Sequence, residues 1–278
     1  MISYKIALHY SGPELVDESP ISSPTPSLYQ ENAMSERAAC STLPASFVLA
    51  GDSTTAVAGG WGTGFISFLK SPAKGTNIAK SGATTVSFVN GGYWKKVIDQ
   101  VKADAATHNV IVTIQFGHND QKEAANISLS QFQTNLENFA KEVKAAGGTP
   151  LLTTSLTRRT FNSDHDVADS LHNERLRAIA AAEATGSPYI DLNQASIAFV
   201  NAIGKDAAQA YNLAADDRTH LNDYGSVVFG RMVADLVLGH PPTVSADDKW
   251  TPSADNCFVG AFNSNKTLTH AIWSGLPA

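Results

Sequence analysis

From residue 47 onward, short β-branched and apolar runs alternate with longer stretches of helical period, and this alternation restricts the fold more than any other feature. Residues 47–50 (FVLA), 110–116 (VIVTIQF), 149–155 and 189–192 (YIDL) are short enough to read as buried strands. Between them, residues 130–146 place Phe132, Leu136, Phe139 and Val143 on one helical face. Ser130 is the expected N-cap, and Gly147 and Gly148 are the stop. A second helix is expected over 166–184, with Leu171, Leu176 and Ile179 inward and Gly186 just past its end. A last one over 223–238 carries Val227, Val228, Met232, Val233 and Leu236. Strands alternating with helices make βαβ units, hence a parallel sheet covered on both faces. Right-handed crossovers then lead to a three-layer α/β/α sandwich.

With no internal repeat and no second core, residues 46–240 read as one domain. Residues 1–45, rich in Ser, Pro, Glu and Tyr without periodicity, read as a loosely attached leader, and 241–278 as a C-terminal extension packed on the domain. Apolar residues make up 43% of the chain, enough for a sizeable core, and the net charge is −6. An acidic chain is a poor non-specific ligand for nucleic acid, which needs clustered Lys and Arg. No run approaches the ~18 apolar residues of a membrane span, and the start MISYKIALHYSGPE shows no signal-peptide core. Cys40 and Cys257 are too few for a disulfide scaffold; they are either one bridge tying the two ends together or ordinary thiols.

In an open parallel sheet the ligand crevice lies beyond the carboxyl ends of the strands, so polar residues just after apolar runs are where chemistry is sought. Gly51-Asp52-Ser53 follows the first run. Its serine is a candidate nucleophile that needs a neighbouring base, or else part of an ordinary turn. Asp217-Arg218-Thr219-His220 precedes the last helix. Asp at i and His at i+3 can fold so that the carboxylate holds Nδ1–H and leaves Nε2 for the serine. Asp216 is the rival partner, and a capping Asp beside a surface His the plain alternative. Gly117-His118-Asn119-Asp120 follows the VIVTIQF run. Asn119 can present its amide N–H to an oxyanion, a contribution of roughly 3 kcal/mol when well placed, while His118 orients the loop or lines the cleft. An Asx turn is the bland reading of this tetrad.

The order of these blocks resembles the SGNH (GDSL-type) hydrolases, whose four blocks are carried here by Ser53, a glycine, Asn119 and His220. The segment NIAKSGATTVSF at 77–88, followed by Gly92-Tyr93-Trp94, is similar to the second block of the rhamnogalacturonan acetylesterase branch and puts Gly82 on the oxyanion glycine. QFGHNDQK at 115–122, LTRR at 156–159 and DRTHLN at 217–222 fit the same branch. The resemblance spans about 47–238 and implies a flavodoxin-like, mainly parallel five-stranded sheet. The branch commonly has Arg-Ser after the block-two glycine, where this chain has Ala83-Thr84, which bears on substrate recognition.

What the resemblance implies is a serine esterase acting through Ser53, His220 and Asp217, with Ser53 N–H, Gly82 N–H and Asn119 as the oxyanion hole and no metal or cofactor. The implied substrate is an acetylated plant cell-wall polysaccharide of the rhamnogalacturonan or pectin type, hydrolysed by a secreted monomer. Trp61, Tyr93 and Trp94 either stack on sugar rings or belong to the core. Arg158 and Arg159 either clamp a galacturonate carboxylate or form a solvated pair. The alternatives are a short-chain esterase or lipase of the same fold and, in another class, a non-catalytic carbohydrate-binding protein. Gly59-Gly60-Trp61-Gly62-Thr63-Gly64 fits neither dinucleotide nor P-loop spacing and is expected to be a flexible loop. Asn126-Ile127-Ser128 and Asn265-Lys266-Thr267 match the glycosylation acceptor pattern.

Overall fold

A computed structural model describes residues 40–278. Apart from residues 40–45, the expected leader lies outside the described residues. The elements run β1 (Ala45–Gly51), α1 (Gly62–Ser67), β2 (Lys74–Asn77), α2 (Thr85–Asn90), α3 (Tyr93–Asp104), β3 (Asn109–Gln115), α4 (Leu129–Ala145) and β4 (Thr149–Thr153). They continue with β5 (Phe161–Ser163), β6 (Asp166–Val167), α5 (His172–Thr185), β7 (Tyr189–Ile190), α6 (Leu192–Ile203), α7 (Lys205–Ala208), α8 (Asp223–Val237) and α9 (Lys266–Trp273).

Five strands pair in the order β2-β1-β3-β4-β7, all parallel, and β5 and β6 form a separate small hairpin. The expected α/β architecture with a five-stranded parallel sheet is what the chain adopts. Pleating explains why its central strands are apolar throughout: successive side chains point to opposite faces, and both faces are covered. On one side Phe47 and Leu49 of β1 join α1, α6, α8 and α9; on the other, Val48 and Ala50 join α2 to α5. Phe47 is fully buried among Phe65, Phe258 and Phe262. Truncating it to alanine removes a contact that joins β1 to α1 and to the C-terminal segment, at a cost of about 3–5 kcal/mol.

Several local expectations are corrected. Helix α4 starts two residues earlier than the apolar spacing suggests, because the hydroxyl of Ser128, not Ser130, accepts from the N–H of Gln131. Helix α5 starts at His172 rather than at 166, since Asp166–Val167 pairs with Phe161–Ser163. Its inner face is Ala178, Ala181 and Ala182, small residues that allow close approach to α4, and Leu176 is exposed. The glycine tract at 59–64 is not a flexible loop. It leads into α1, where Gly62 and Gly64 are buried. A Cβ on Gly64 would lie 1.9 Å from the carbonyl oxygen of Ser226, and one on Gly230 2.3 Å from the N of Phe65. These two glycines let the backbones of α1 and α8 touch.

Residues 241–278 contribute Phe262, Ile272 and Trp273 to the core under α8. The Trp273 indole N–H donates to Oδ2 of Asp235 at 3.0 Å, and Asp235 Oδ1 accepts from Nε of Arg231 at 2.9 Å. The His240 ring stacks on Trp273 at 3.8 Å. Cys40 and Cys257 are disulfide-bonded, closing a separation of 217 residues.

Candidate active site

Strands β1 and β3 are neighbours, with Gly51 opposite Gln115, while the strands that follow each in sequence lie on opposite sides of them. Their carboxyl ends therefore flank the point where strand order reverses, the place where a crevice opens in such sheets. Ser53 stands two residues past β1 and Asn119 four past β3.

Asp52 holds the turn after β1: its Oδ1 accepts from the N–H of Thr54 at 2.9 Å and from its hydroxyl at 2.8 Å. Gln115, a polar residue at the end of an apolar strand, donates to the Thr54 hydroxyl and accepts the Trp61 indole N–H at 2.7 Å. Ser53 is left at the rim, 6% exposed, and among the described residues its backbone N–H has no hydrogen-bond partner.

His220 Nε2 lies 2.9 Å from the Ser53 hydroxyl, and Nδ1 lies 2.7 Å from Oδ2 of Asp217. A carboxylate only accepts, so Nδ1 carries the proton and Nε2 faces the hydroxyl with its lone pair. Asp217, not Asp216, is the partner because its Oδ1 also accepts the N–H groups of Thr219 and His220, at 2.9 and 2.8 Å, curling the loop into a single turn. Burial works against that carboxylate, but these donors and the imidazole outweigh it and hold Asp217 below the usual carboxylate range.

The loops that follow β2 and β3 carry Gly82 and Asn119. Lys80 to Ala83 form a turn closed by Ala83 N–H on the Lys80 carbonyl at 3.1 Å, with Gly82 in third position at φ +77°, a geometry that favours glycine. The Asn119 amide donates to the carbonyl of Ala83 at 3.0 Å, pinning the two oxyanion candidates together. Lys122 Nζ donates to Oδ1 of Asn119 at 2.7 Å and fixes which way the amide faces.

Sequence reasoning misses what supports these groups. Arg159 is fully buried; it donates to the carbonyl of His220 at 2.7 Å and to Asn212 at 2.5 Å, and burial lowers its pKa to about 10. Asp120 accepts the N–H and hydroxyl of Thr85 at 2.8 and 2.6 Å. Burial, helped by the charge of Asp52, raises it to about 6 against those donors. Burial likewise raises Glu174, with Arg158 and His118 pulling the other way.

The four substrate-contact candidates are corrected. Trp61 is fully buried and its N–H is engaged by Gln115, so it has no face for a sugar. Trp94 is 4% exposed, stacked on Phe139 at 4.0 Å and donating to Glu142. His118 does not line the cleft: it is buried, with Nδ1 3.5 Å from Oδ2 of Asp52. Burial alone would raise Asp52, but the charge of His118 and the Thr54 donors hold it low. Arg158 commits its NH1 to the Ser170 hydroxyl at 2.9 Å and its NH2 to the His118 carbonyl at 3.3 Å, so it shapes a wall instead of offering a free fork.

Among the described residues no group of three or more His, Cys, Asp or Glu is placed to hold a metal ion. None of their helices is long and apolar enough to cross a membrane.

Sheet order and crevice contents are those of an α/β acylhydrolase, and the chain belongs to the GDSL-like Lipase/Acylhydrolase family, the SGNH hydrolases, whose sequence pattern matches residues 49–227. It is thus an esterase of that family. Among curated proteins it is 29% identical over 219 residues to the rhamnogalacturonan acetylesterase RhgT of Bacillus subtilis, covering 71% of this chain and 92% of that one. It is 27% identical to a probable rhamnogalacturonan acetylesterase, YesY, of the same organism, covering 71% and 95%. Among solved structures, the B. subtilis protein YxiM superposes with a TM-score of 0.60 at 23% identity; the match covers 70% of this chain but only 56% of that longer one. An acetyl-xylooligosaccharide esterase variant, Axe2 from Geobacillus, superposes with a TM-score of 0.52 at 18% identity over 72% and 96%. The last two likenesses concern the fold.

Proposed function

We propose that the protein is a secreted serine esterase that removes acetyl groups from acetylated plant cell-wall polysaccharide of the rhamnogalacturonan or pectin type, acting as a monomer. The observation that carries the chemistry is the continuous Ser53–His220–Asp217 hydrogen-bonded chain at the mouth of the crevice. His220 takes the Ser53 proton as Oγ attacks the ester carbonyl. The N–H groups of Ser53 and Gly82 and the Asn119 amide hold the tetrahedral oxyanion. His220 then gives its proton to the departing sugar hydroxyl and activates the water that releases acetate. Asp217 keeps the imidazole in the tautomer this sequence requires.

The substrate class is supported by the two acetylesterase relatives. Secretion is supported by the Cys40–Cys257 bridge, since such bonds persist in oxidising compartments. Acetate release from acetylated rhamnogalacturonan, measured beside acetylated xylan and a chain-length series of chromogenic esters, tests the reading. Acetate release from the pectic polymer that vanishes in Ser53→Ala is the expected result. Turnover that survives Ser53→Ala removes the mechanism, and a preference for long acyl chains removes the substrate.

A further inference from the structure

Two residues outside the hydrogen-bonded chain at Ser53 stand immediately before residues of the crevice. Asp52 precedes Ser53, and His118 precedes Asn119. Their side chains meet beneath the loops: Nδ1 of His118 lies 3.5 Å from Oδ2 of Asp52. Both are buried, Asp52 completely and His118 to 2% exposure. A carboxylate only accepts, so the imidazole presents Nδ1–H to it. Among the described residues, Asp52 Oδ2 and the two ring nitrogens of His118 form no hydrogen bond, so neither side chain is drawn elsewhere by one at these atoms. At 3.5 Å the contact is longer than an ordinary hydrogen bond, but a charge attraction so deeply buried is screened little.

Each block is also anchored on its own account. Asp52 Oδ1 is spent on the N–H and hydroxyl of Thr54, which fixes the turn that presents Ser53. The His118 carbonyl accepts from Arg158 at 3.3 Å, and the Asn119 amide is tied to the Ala83 carbonyl. Gln115 joins the end of β3 to the Thr54 hydroxyl, yet it stands four residues before Asn119, whereas His118 is adjacent to it. Burial works against the charge on Asp52, and His118 with the Thr54 donors outweighs it. Pulling the two side chains apart would leave a buried carboxylate uncompensated, which makes the tie stiff. Stiffness matters here because an oxyanion hole works only with its donors about 2.7–3.1 Å from the point where charge develops. With Ser53 N–H and the Asn119 amide as two of those donors, the spacing of their backbones sets the width of the hole.

We infer that the Asp52–His118 contact is a brace that sets the separation of Ser53 and Asn119, and that His118 is a positioning residue of the oxyanion hole. The inference rests on the proposed esterase reading and deepens it: His118 touches no substrate and acts through the two residues it spaces.

The test uses two amide variants that differ in where they carry a donor. His118→Asn keeps a side-chain N–H where Nδ1 stood. His118→Gln, closer to histidine in volume, carries it toward the former Nε2, past Asp52. On p-nitrophenyl acetate, His118→Gln should lower kcat about tenfold with KM unchanged, a fraction of the ~10²–10³ that losing a whole oxyanion donor costs. His118→Asn should retain kcat within about threefold. The inhibition constant of a boronic acid, whose tetrahedral adduct at Ser53 uses the same donors, should rise as kcat falls. Turnover is counted per active site titrated with a fluorophosphonate, so a misfolded fraction does not enter. Where His118→Gln yields no titratable protein, His118→Leu takes its place with the same expectation. Undiminished kcat in His118→Gln, a loss confined to KM, or a ranking by volume with His118→Asn the slower overturns the brace. Turnover that survives Ser53→Ala defeats the esterase reading and the brace with it, while turnover that needs Ser53 and ignores His118 defeats the brace alone.

Discussion

The ammonium of Lys122 sits 2.7 Å from the side-chain oxygen of Asn119, three residues earlier, and so turns the amide nitrogen toward the Ala83 carbonyl. Lys122 thereby brings a cation close to Ala83, the residue that follows Gly82.

Lys122→Met should therefore lower kcat with little change in KM, by about fivefold, the worth of one charge-assisted hydrogen bond of ~1 kcal/mol. Steady-state kinetics on a small acetyl ester checks it. A change confined to KM would mean that Lys122 touches substrate and leaves the amide alone.

Asp217→Asn keeps size and shape but removes the acceptor that holds His220 Nδ1–H. A fall in kcat of about 10³–10⁴-fold is expected, with an unchanged circular dichroism spectrum. If Asp216→Asn is the more damaging of the two, the partner has been assigned wrongly.

Asp120 gives a pH-dependent stability. Its folded pKa, about 6, lies above that of an unfolded carboxyl near ~4. Its contribution is thus complete below about pH 4 and is lost as pH rises through about 6, up to about 3 kcal/mol in all. Asp120→Asn should remove this slope, so that its Tm gains on the wild type between pH 4 and 7. Parallel Tm curves would show that the carboxyl titrates alike in both states.

Cys257→Ser opens a closure of 217 residues. By chain entropy the loss approaches about 5 kcal/mol, read as a lower denaturant midpoint, with esterase activity retained in the cold. A midpoint that does not move, for oxidised against reduced wild type as well, would refute the role.

The central strands are legible in the sequence because they are buried on both faces and consist of little else but apolar residues. Strand β2 is not: KGTN at the sheet edge pairs only with β1 and contains no large apolar side chain to announce it. Helix α5 is legible as a helix but misleading at its start, because its packing face is alanine and its first expected turns form a hairpin. Ser53, Asp217 and His220 can be picked out because each sits in a short polar tract at a strand or helix boundary. Arg159 and Trp61 cannot be placed that way. Arg159 lies 61 residues from the carbonyl it steadies, and Trp61 lies 54 from the glutamine that takes its N–H, distances that only the folded chain closes.

The disulfide fastens the chain just before β1, at the amino end of that strand, whereas Ser53 lies beyond its carboxyl end. Seven residues of strand separate the two, roughly 20 Å. The bridge therefore clasps the molecule at the end of the sheet remote from the crevice, and the loops that carry Ser53 and His220 are held by their own hydrogen bonds instead.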